Sequence, residues 1–286
     1  MKQLELIANN LRGKKSVAIG IVNDGNIKHS NLGPLTKFHI ASTQKAITSM
    51  FIATLVDDKL VDWDTKLNTL LPKFKLDVSM KELLSMNSGI SASYDDIDED
   101  TTPESLFKKI KLSRPKFAYS NYSYALAGYA GALIAGEKWG NLQNGYIEQL
   151  KKRVLEPLGM FTNEVTFKLD ALAPSGCMVT SINNMLCFLT VELNNGYSNT
   201  TNKQVVSKTN MKMRWKSLTK DGFNYYGMGW VNSKFLGKNY LSHNGDFAGF
   251  NSIIAMIPEE NRGLVVLTNS SDDILMELLD YWLMEK

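Results

Sequence analysis

Strand-like and helix-like patterns divide this 286-residue chain unevenly, and that division most constrains its fold. Near the N-terminus, Ser16-Val17-Ala18-Ile19-Gly20-Ile21-Val22 reads as a strand. Asn23-Asp24-Gly25-Asn26 then reads as a hairpin turn, and Ile27 to Ser30 as the returning strand. Toward the C-terminus, Tyr225 to Val231, Tyr240 to His243, Gly249 to Ile257 and Gly263 to Leu267 read as strands. Pro258-Glu259-Glu260-Asn261 turns between the last two. Between these ends, segments 42–57, 79–87, 103–111, 121–136, 143–155 and 181–193 carry apolar residues at helical spacing. Leu4, Ile7 and Leu11 mark a short amphipathic helix at the start, and Asp272 to Met284 another at the end. The expected fold is α/β in the broad, α+β sense. An antiparallel sheet is built from both termini and flanked by their helices, with an inserted all-helical lobe. Residues 1–41 and 208–286 form the sheet-containing lobe in this reading and 42–207 the helical lobe, together one catalytic domain. Ser42 falls at the junction, where a cleft between lobes would hold a ligand.

Ser42 opens the tetrad Ser42-Thr43-Gln44-Lys45, followed by Ala46, Ile47, Met50, Phe51 and Leu55 at helical spacing. Residues three apart share a helix face, so Ser42 and Lys45 can touch. A helix start favours developing negative charge, and a partly desolvated lysine can take a serine proton. Three other Ser-x-x-Lys tetrads occur. Ser113-Arg114-Pro115-Lys116 contains a proline, and Ser217-Leu218-Thr219-Lys220 runs into the turn pair Asp221-Gly222. Ser105-Leu106-Phe107-Lys108 sits on a short surface helix. A tetrad alone is therefore a weak signal, since an N-capping serine with a solvated lysine gives the same letters.

Two downstream elements strengthen it. Tyr119-Ser120-Asn121 precedes a helix rich in Ala, Gly and Tyr. A tyrosine beside a Ser–Lys pair relays protons, and an Asn two residues on holds the lysine and a substrate carbonyl. A loop tyrosine with an Asn N-cap is the structural alternative. His243-Asn244-Gly245 ends the second C-terminal strand, followed by Asp246-Phe247. Gly245 allows close approach, and the next backbone N–H can donate to an oxyanion. The alternative is a strand-end turn with a satisfied surface histidine.

Composition removes several function classes. Lys and Arg total 32 against 29 Asp and Glu, mixed along the chain, so no basic stripe points to a nucleic-acid partner. The three histidines, His29, His39 and His243, show no zinc-ligand spacing, and the two cysteines, Cys177 and Cys187, form no C-x-x-C. No metal or cofactor is expected. The N-terminal segment lacks an apolar signal-peptide core, and no stretch reaches the ~18 apolar residues of a membrane span. The chain reads as soluble and cytoplasmic, with no membrane partner; its oligomeric state is unassigned. The run Asp95, Asp96, Asp98, Glu99 and Asp100 marks an acidic loop at 91–101, a solvated surface or a gate over the cleft. There is no Gly-x-Ser-x-Gly elbow, and Gly227-x-Gly229 lacks the third glycine of a dinucleotide loop.

Taken in order, Ser-x-x-Lys, Tyr-x-Asn and His-x-Gly resemble the pattern of penicillin-binding proteins and serine β-lactamases. The Tyr-x-Asn form resembles the class C β-lactamase, D-aminopeptidase and esterase branch. Phe38-His39-Ile40-Ala41 before Ser42, Leu60-Val61-Asp62-Trp63-Asp64 with Leu71-Pro72, and Met80 to Ile90 agree with it. In the last of these, Met86-Asn87 stands where the family usually has His-Thr. Glu156-Pro157-Leu158-Gly159-Met160 and Tyr226-Gly227-Met228-Gly229-Trp230 also fit, so the likeness spans roughly residues 15–270. The resemblance implies Ser42 as acylated nucleophile and Lys45 and Tyr119 as acid/base partners. It also implies Asn121 as a substrate-positioning group and His243 in the place of a family lysine. The oxyanion hole would then be the N–H groups of Ser42 and Asp246, beside Gly245.

Two departures bear on substrate. Asn244 replaces a usual threonine, and Asp246 replaces a usual small residue; its carboxylate either faces the cleft or points away and caps a turn. Both departures argue against a dedicated β-lactamase. Three activities share the implied acyl-enzyme. The first is hydrolysis of a small ester, amide or D-aminoacyl peptide. The others are β-lactam or peptide binding with slow deacylation, and acyl transfer. The full triplet favours the first.

Overall fold

The computed structural model describes residues 1–9, 15–91, 101–167, 171–270 and 273–285. The expected acidic loop falls almost wholly on 92–100, outside the described residues. Helix α1 (Lys2–Asn9) leads into the hairpin β1 (Val17–Asn23) and β2 (Asn26–Leu32). Asp24 and Gly25 both take positive φ, as a two-residue hairpin turn demands. Then come the helices α2 (Gln44–Asp57), α3 (Asn121–Ile134), α4 (Leu142–Leu150), α5 (Ile182–Leu193) and α6 (Lys208–Trp215), with shorter helices between them. The inserted lobe is not all-helical as expected, because short strands at Thr166–Phe167, Met178–Ser181, Tyr197–Ser198 and Lys203–Gln204 pair within small separate ladders. The chain returns as β3 (Thr219–Asp221), β4 (Asn224–Tyr226), β5 (Val231–Phe235), β6 (Lys238–Phe247), β7 (Phe250–Ile257) and β8 (Arg262–Thr268), and closes with α7 (Asp273–Met284).

The eight strands form one antiparallel sheet in the order β2-β1-β8-β7-β6-β5-β4-β3. The two ends of the chain meet near one edge of it, where β1 pairs with β8 along its whole length, from Val17 opposite Thr268 to Asn23 opposite Arg262. This is the expected sheet, with four differences. Edge strand β3 takes up Thr219–Asp221, where the sequence reads only as a run into a turn. The stretch Tyr225 to Val231 is two strands, because Gly229 takes φ +82° and breaks the run. Strand β5 beyond Val231 has no strand pattern in the sequence, because it is short, half-buried and polar; it turns into β6 through Leu236 and Gly237, both at positive φ. Strand β6 does not end at His243 but runs to Phe247.

Alternate residues of the sheet feed two cores. Val17, Ile19, Ile21, Ile253, Ala255, Leu264 and Val266 pack against Leu4 of α1 and Leu278 and Trp282 of α7. Trp282 is fully buried, and burying a side chain of that size contributes about 2–3 kcal/mol. Ala18, Val22, Ile254, Met256, Val265 and Leu267 belong to the larger core shared with the helices. At its centre α2 is buried from Gln44 to Leu55, on every face. A helix apolar nearly all round sits inside a protein rather than on it. Whatever polar side chains it carries must then find partners within the core.

Candidate active site

Ser42 lies not on α2 but in the 3-10 turn Ala41–Thr43 that leads into it. Ala41 takes φ +46°, a strained value for a residue with a β-carbon, and Thr43 ties the turn down by donating its hydroxyl to the Ile40 carbonyl at 2.6 Å. Lys45, in the first turn of the buried helix, is itself fully buried. Its Nζ stands 2.9 Å from Ser42 Oγ, 2.7 Å from Asn121 Oδ1 and 2.8 Å from the Ser175 carbonyl oxygen. Burial lowers its pKa to about 7, against a small opposing influence of the Cys177 thiol.

The Ser175 carbonyl was not legible from sequence, since any residue supplies one. Its placement depends on two polar residues of α2. Gln44 donates to the Ala173 carbonyl at 2.8 Å and accepts the Met178 N–H at 2.7 Å. Thr48, one turn on, donates to the Pro174 carbonyl at 2.7 Å. Gln44 and Thr48 thus clamp the segment that presents the Ser175 carbonyl to Lys45.

Tyr119 is half-buried, with its ring centre 5.1 Å from Lys45 Nζ and 6.1 Å from the His243 ring. Asn121 follows as the first residue of α3. The structure thus brings Ser42, Lys45, Tyr119 and Asn121 together. The other three tetrads have local structural contacts. Ser105 forms a reciprocal capping box with Thr102, Ser113 donates to the Gly89 carbonyl at 2.9 Å, and Ser217 precedes the β3–β4 hairpin.

Strand β6 supplies the opposite wall. Beyond Ser242 it has outrun β5, whose pairing stops at Val231 opposite Ser242, so its edge from His243 onward meets the Ser42 turn instead. A β-carbon on Gly245 would lie 2.7 Å from the Ser42 nitrogen and 2.8 Å from the Ile40 carbonyl. The side chain must therefore be absent there for the strand to approach.

His243 is not a surface histidine; it is buried. Its Nδ1 lies 2.6 Å from the Asn244 carbonyl, which can only accept, so Nδ1 carries the proton. Nε2, 2.9 Å from the Tyr226 hydroxyl, then accepts from it. Burial, and secondly the charge of Lys45, push the pKa of His243 down to about 3. A family lysine in this place carries a charge; this imidazole carries none. Asn244 and Asp246 are exposed, whereas His243 and Gly245 are buried, as strand alternation requires. The Asp246 side chain thus leaves β6 on the face opposite Gly245 and pairs in register with Asn251. It sits within a strand rather than at a turn.

Among the described residues no group of three or more His, Cys, Asp or Glu side chains could hold a metal ion. No described helix is long and apolar enough to cross a membrane.

Protein flp of Staphylococcus aureus (strain MRSA252) is 22% identical over 298 residues, covering 89% of this chain and 57% of its own length. The chain thus spans little more than half of the curated relatives it matches. In fold it superposes on SurE solved with D-Leu at a TM-score of 0.82, with 18% identity over 97% of this chain and 73% of that one. For a class C β-lactamase from Rhodobacter sphaeroides the TM-score is 0.77, with 16% identity over 94% and 95% of the two chains. The octameric penicillin-binding protein homologue from Pyrococcus abyssi gives 0.75, with 23% identity over 95% and 74%. The Beta-lactamase family model itself matches residues 5–285, nearly the whole chain, and this protein belongs to that family.

Proposed function

We propose that this protein is a serine hydrolase that forms an acyl-enzyme on Ser42 with a small ester or amide, D-aminoacyl compounds included. The observation that carries the proposal is the 2.9 Å contact between Ser42 Oγ and a buried Lys45 whose pKa is lowered to about 7. An uncharged amine has two N–H donors and one lone pair. With the Asn121 and Ser175 oxygens taking the two donors, the lone pair is directed at the Ser42 hydroxyl. The serine proton then has an acceptor at neutral pH.

In this reading Ser42 Oγ adds to the substrate carbonyl carbon as its proton passes to Lys45 Nζ. The carbonyl oxygen becomes an oxyanion facing the N–H groups of Ser42 and Asp246; the close packing of Gly245, the residue before Asp246, against Ser42 supports this pairing. Collapse breaks the bond to the alcohol or amine, which leaves with a proton returned through Lys45 and Tyr119. Water then adds to the acyl carbon by the same route and frees Ser42. Asn121, fixed on Lys45, positions the substrate carbonyl side. SurE, similar in fold, was solved with D-Leu, so D-leucyl anilides belong in the first substrate panel beside p-nitrophenyl esters and penicillins.

The test is labelling with a fluorophosphonate, followed by peptide mass spectrometry and ester turnover. Modification at Ser42, with turnover lost by at least ~10³-fold in Ser42→Ala, is expected. Label on Ser105, Ser113 or Ser217, or full turnover by Ser42→Ala, overturns the reading. An acyl-enzyme that forms and persists for hours identifies a binding module instead.

A further inference from the structure

A concave site lies on the same sheet, away from Ser42. It is a groove of about 880 Å³ between α6 and the strands β4 to β6. Strand β6 contributes Asn239, Tyr240 and Leu241 to it, and packs Gly245 against the Ser42 turn. At ~3.3 Å per residue, the stretch from Asn239 to Gly245 separates the two by ~20 Å. The volume falls in the ~300–1,000 Å³ range of small-ligand sites.

The lining has a consistent chemistry. Trp215, Phe223, Tyr225 and Tyr240 offer aromatic surface from four different segments. Phe223, at the tip of the β3–β4 hairpin, is fully exposed, and Tyr225 is 42% exposed. Trp215 is held in place, its indole N–H donating to the buried Glu192 at 2.9 Å. Around the rings stand Lys208, Lys212, Lys216 and Lys234, with Glu259 the one acidic residue of the lining. None of the four lysines joins a salt bridge among the described residues. Partly and fully exposed rings and cations outside any salt bridge, converging on one hollow, complement a ligand with a flat body and a negative charge.

We propose that this groove is a binding site for a small aromatic anion, a planar ring compound bearing a carboxylate, sulfonate or phosphate. The rings take the flat body and the lysine rim takes the charge. The site is separate from the acyl-enzyme chemistry proposed for Ser42 and does not depend on it.

The probe is anilinonaphthalene sulfonate, titrated by fluorescence against its uncharged relative phenylnaphthylamine, at low and high salt. Saturable one-to-one binding is expected, about tenfold tighter for the sulfonate at low salt, with the advantage shrinking at high salt. Lys212→Gln with Lys234→Gln should weaken the sulfonate about fivefold and leave the neutral dye unchanged, whereas Phe223→Ser should weaken both. Ester turnover should be unaffected in each variant. Equal affinity for the two dyes overturns the proposal, as does sulfonate binding indifferent to the lysine changes. Displacement of the dye by an acidic peptide or single-stranded DNA, but not by naphthoate or naphthyl phosphate, also overturns it in favour of a macromolecular partner.

Discussion

Gly245 lies so close to Ser42 that a β-carbon on it would come within 2.7 Å of the Ser42 amide nitrogen. The same atom would stand 2.8 Å from Ser252 Oγ, whose hydroxyl donates to the Ile40 carbonyl at 2.6 Å. Two of its three nearest neighbours are backbone, so the strand or the nucleophile turn must move. Gly245→Ala is expected to slow acylation by ~10- to 100-fold, because sub-ångström shifts of a nucleophile against its oxyanion donors are costly. Folding stability should fall by about 1–3 kcal/mol. Fluorophosphonate labelling rates and urea denaturation read the two effects; an unchanged labelling rate would count against the oxyanion assignment.

Lys45 sets the pH dependence. With a pKa near 7, acylation should rise as pH increases through about 7 and level off above it, once the amine is uncharged. Stability follows the same group. The folded lysine releases its proton near 7 and the unfolded one near 10.5, so between these values the unfolded chain binds more protons. This group's contribution therefore increases from about pH 7 to 10.5 and is lost as pH falls back to 7. Lys45→Met should abolish acylation and remove that slope from denaturation curves. Tyr119→Phe alone is expected to cost more than ~10²-fold in turnover, and Lys45→Ala with Tyr119→Phe little more than the worse single variant. Strictly multiplicative losses would assign the two residues independent roles.

Asn121 and Ser175, which both meet Lys45 Nζ, differ in how visible they are in the sequence. Asn121 is found by a motif, because its side chain does the work and its spacing from Tyr119 is fixed. Ser175 acts through its carbonyl, which leaves no trace in residue type, and Gln44 and Thr48 read as ordinary members of a helix until the segment they clamp is seen. The same contrast holds for the fold. Continuous apolar runs bounded by turn residues reveal β1, β7 and β8, which are buried on both faces. Strand β5, Val-Asn-Ser-Lys-Phe, is half-exposed near the far end of the sheet and carries no such pattern. Helix α6 is similarly hidden, since its sequence Lys-Thr-Asn-Met-Lys-Met-Arg-Trp has only a weak apolar stripe. His243 was legible by place but not by state: burial and the charge of Lys45 keep it uncharged, and neither can be seen from its position in the chain.

That state is measurable. The His243 ring should remain the uncharged Nδ1–H tautomer at pH 5, visible in its ring-nitrogen chemical shifts, and should add no limb to the rate profile between pH 4 and 9. Its folded pKa is about 3 against the ordinary 6.5. Stability from this group is therefore full above about 6.5 and lost as pH falls toward 3, because the unfolded chain takes up the proton first. His243→Gln should flatten the acid side of the stability curve. A titration of His243 near 6.5 in the folded protein would refute the buried, tautomer-fixed description.

The Lys45 helix is also held from behind. Arg214 of α6 is fully buried; it donates to the Ala46 carbonyl at 2.7 Å, to Ser49 Oγ at 2.9 Å and to Glu192 Oε1 at 2.7 Å. Glu192 is equally buried, and burial pushes its pKa up against the opposing pull of Arg214. Removing either partner leaves a charge in the core without its counterion. Arg214→Met and Glu192→Gln should each cost about 3–5 kcal/mol, most of it the penalty of the stranded group. The double replacement Arg214→Met with Glu192→Leu should cost clearly less than the sum, because both charges go together. Arg214→Met should also slow acylation, since the Ala46 carbonyl adjoins Lys45, while Glu192→Gln should slow it less. Denaturation of the four proteins in a mutant cycle, with labelling rates on each, separates these effects; additive losses would mean that the pair is not a coupled unit.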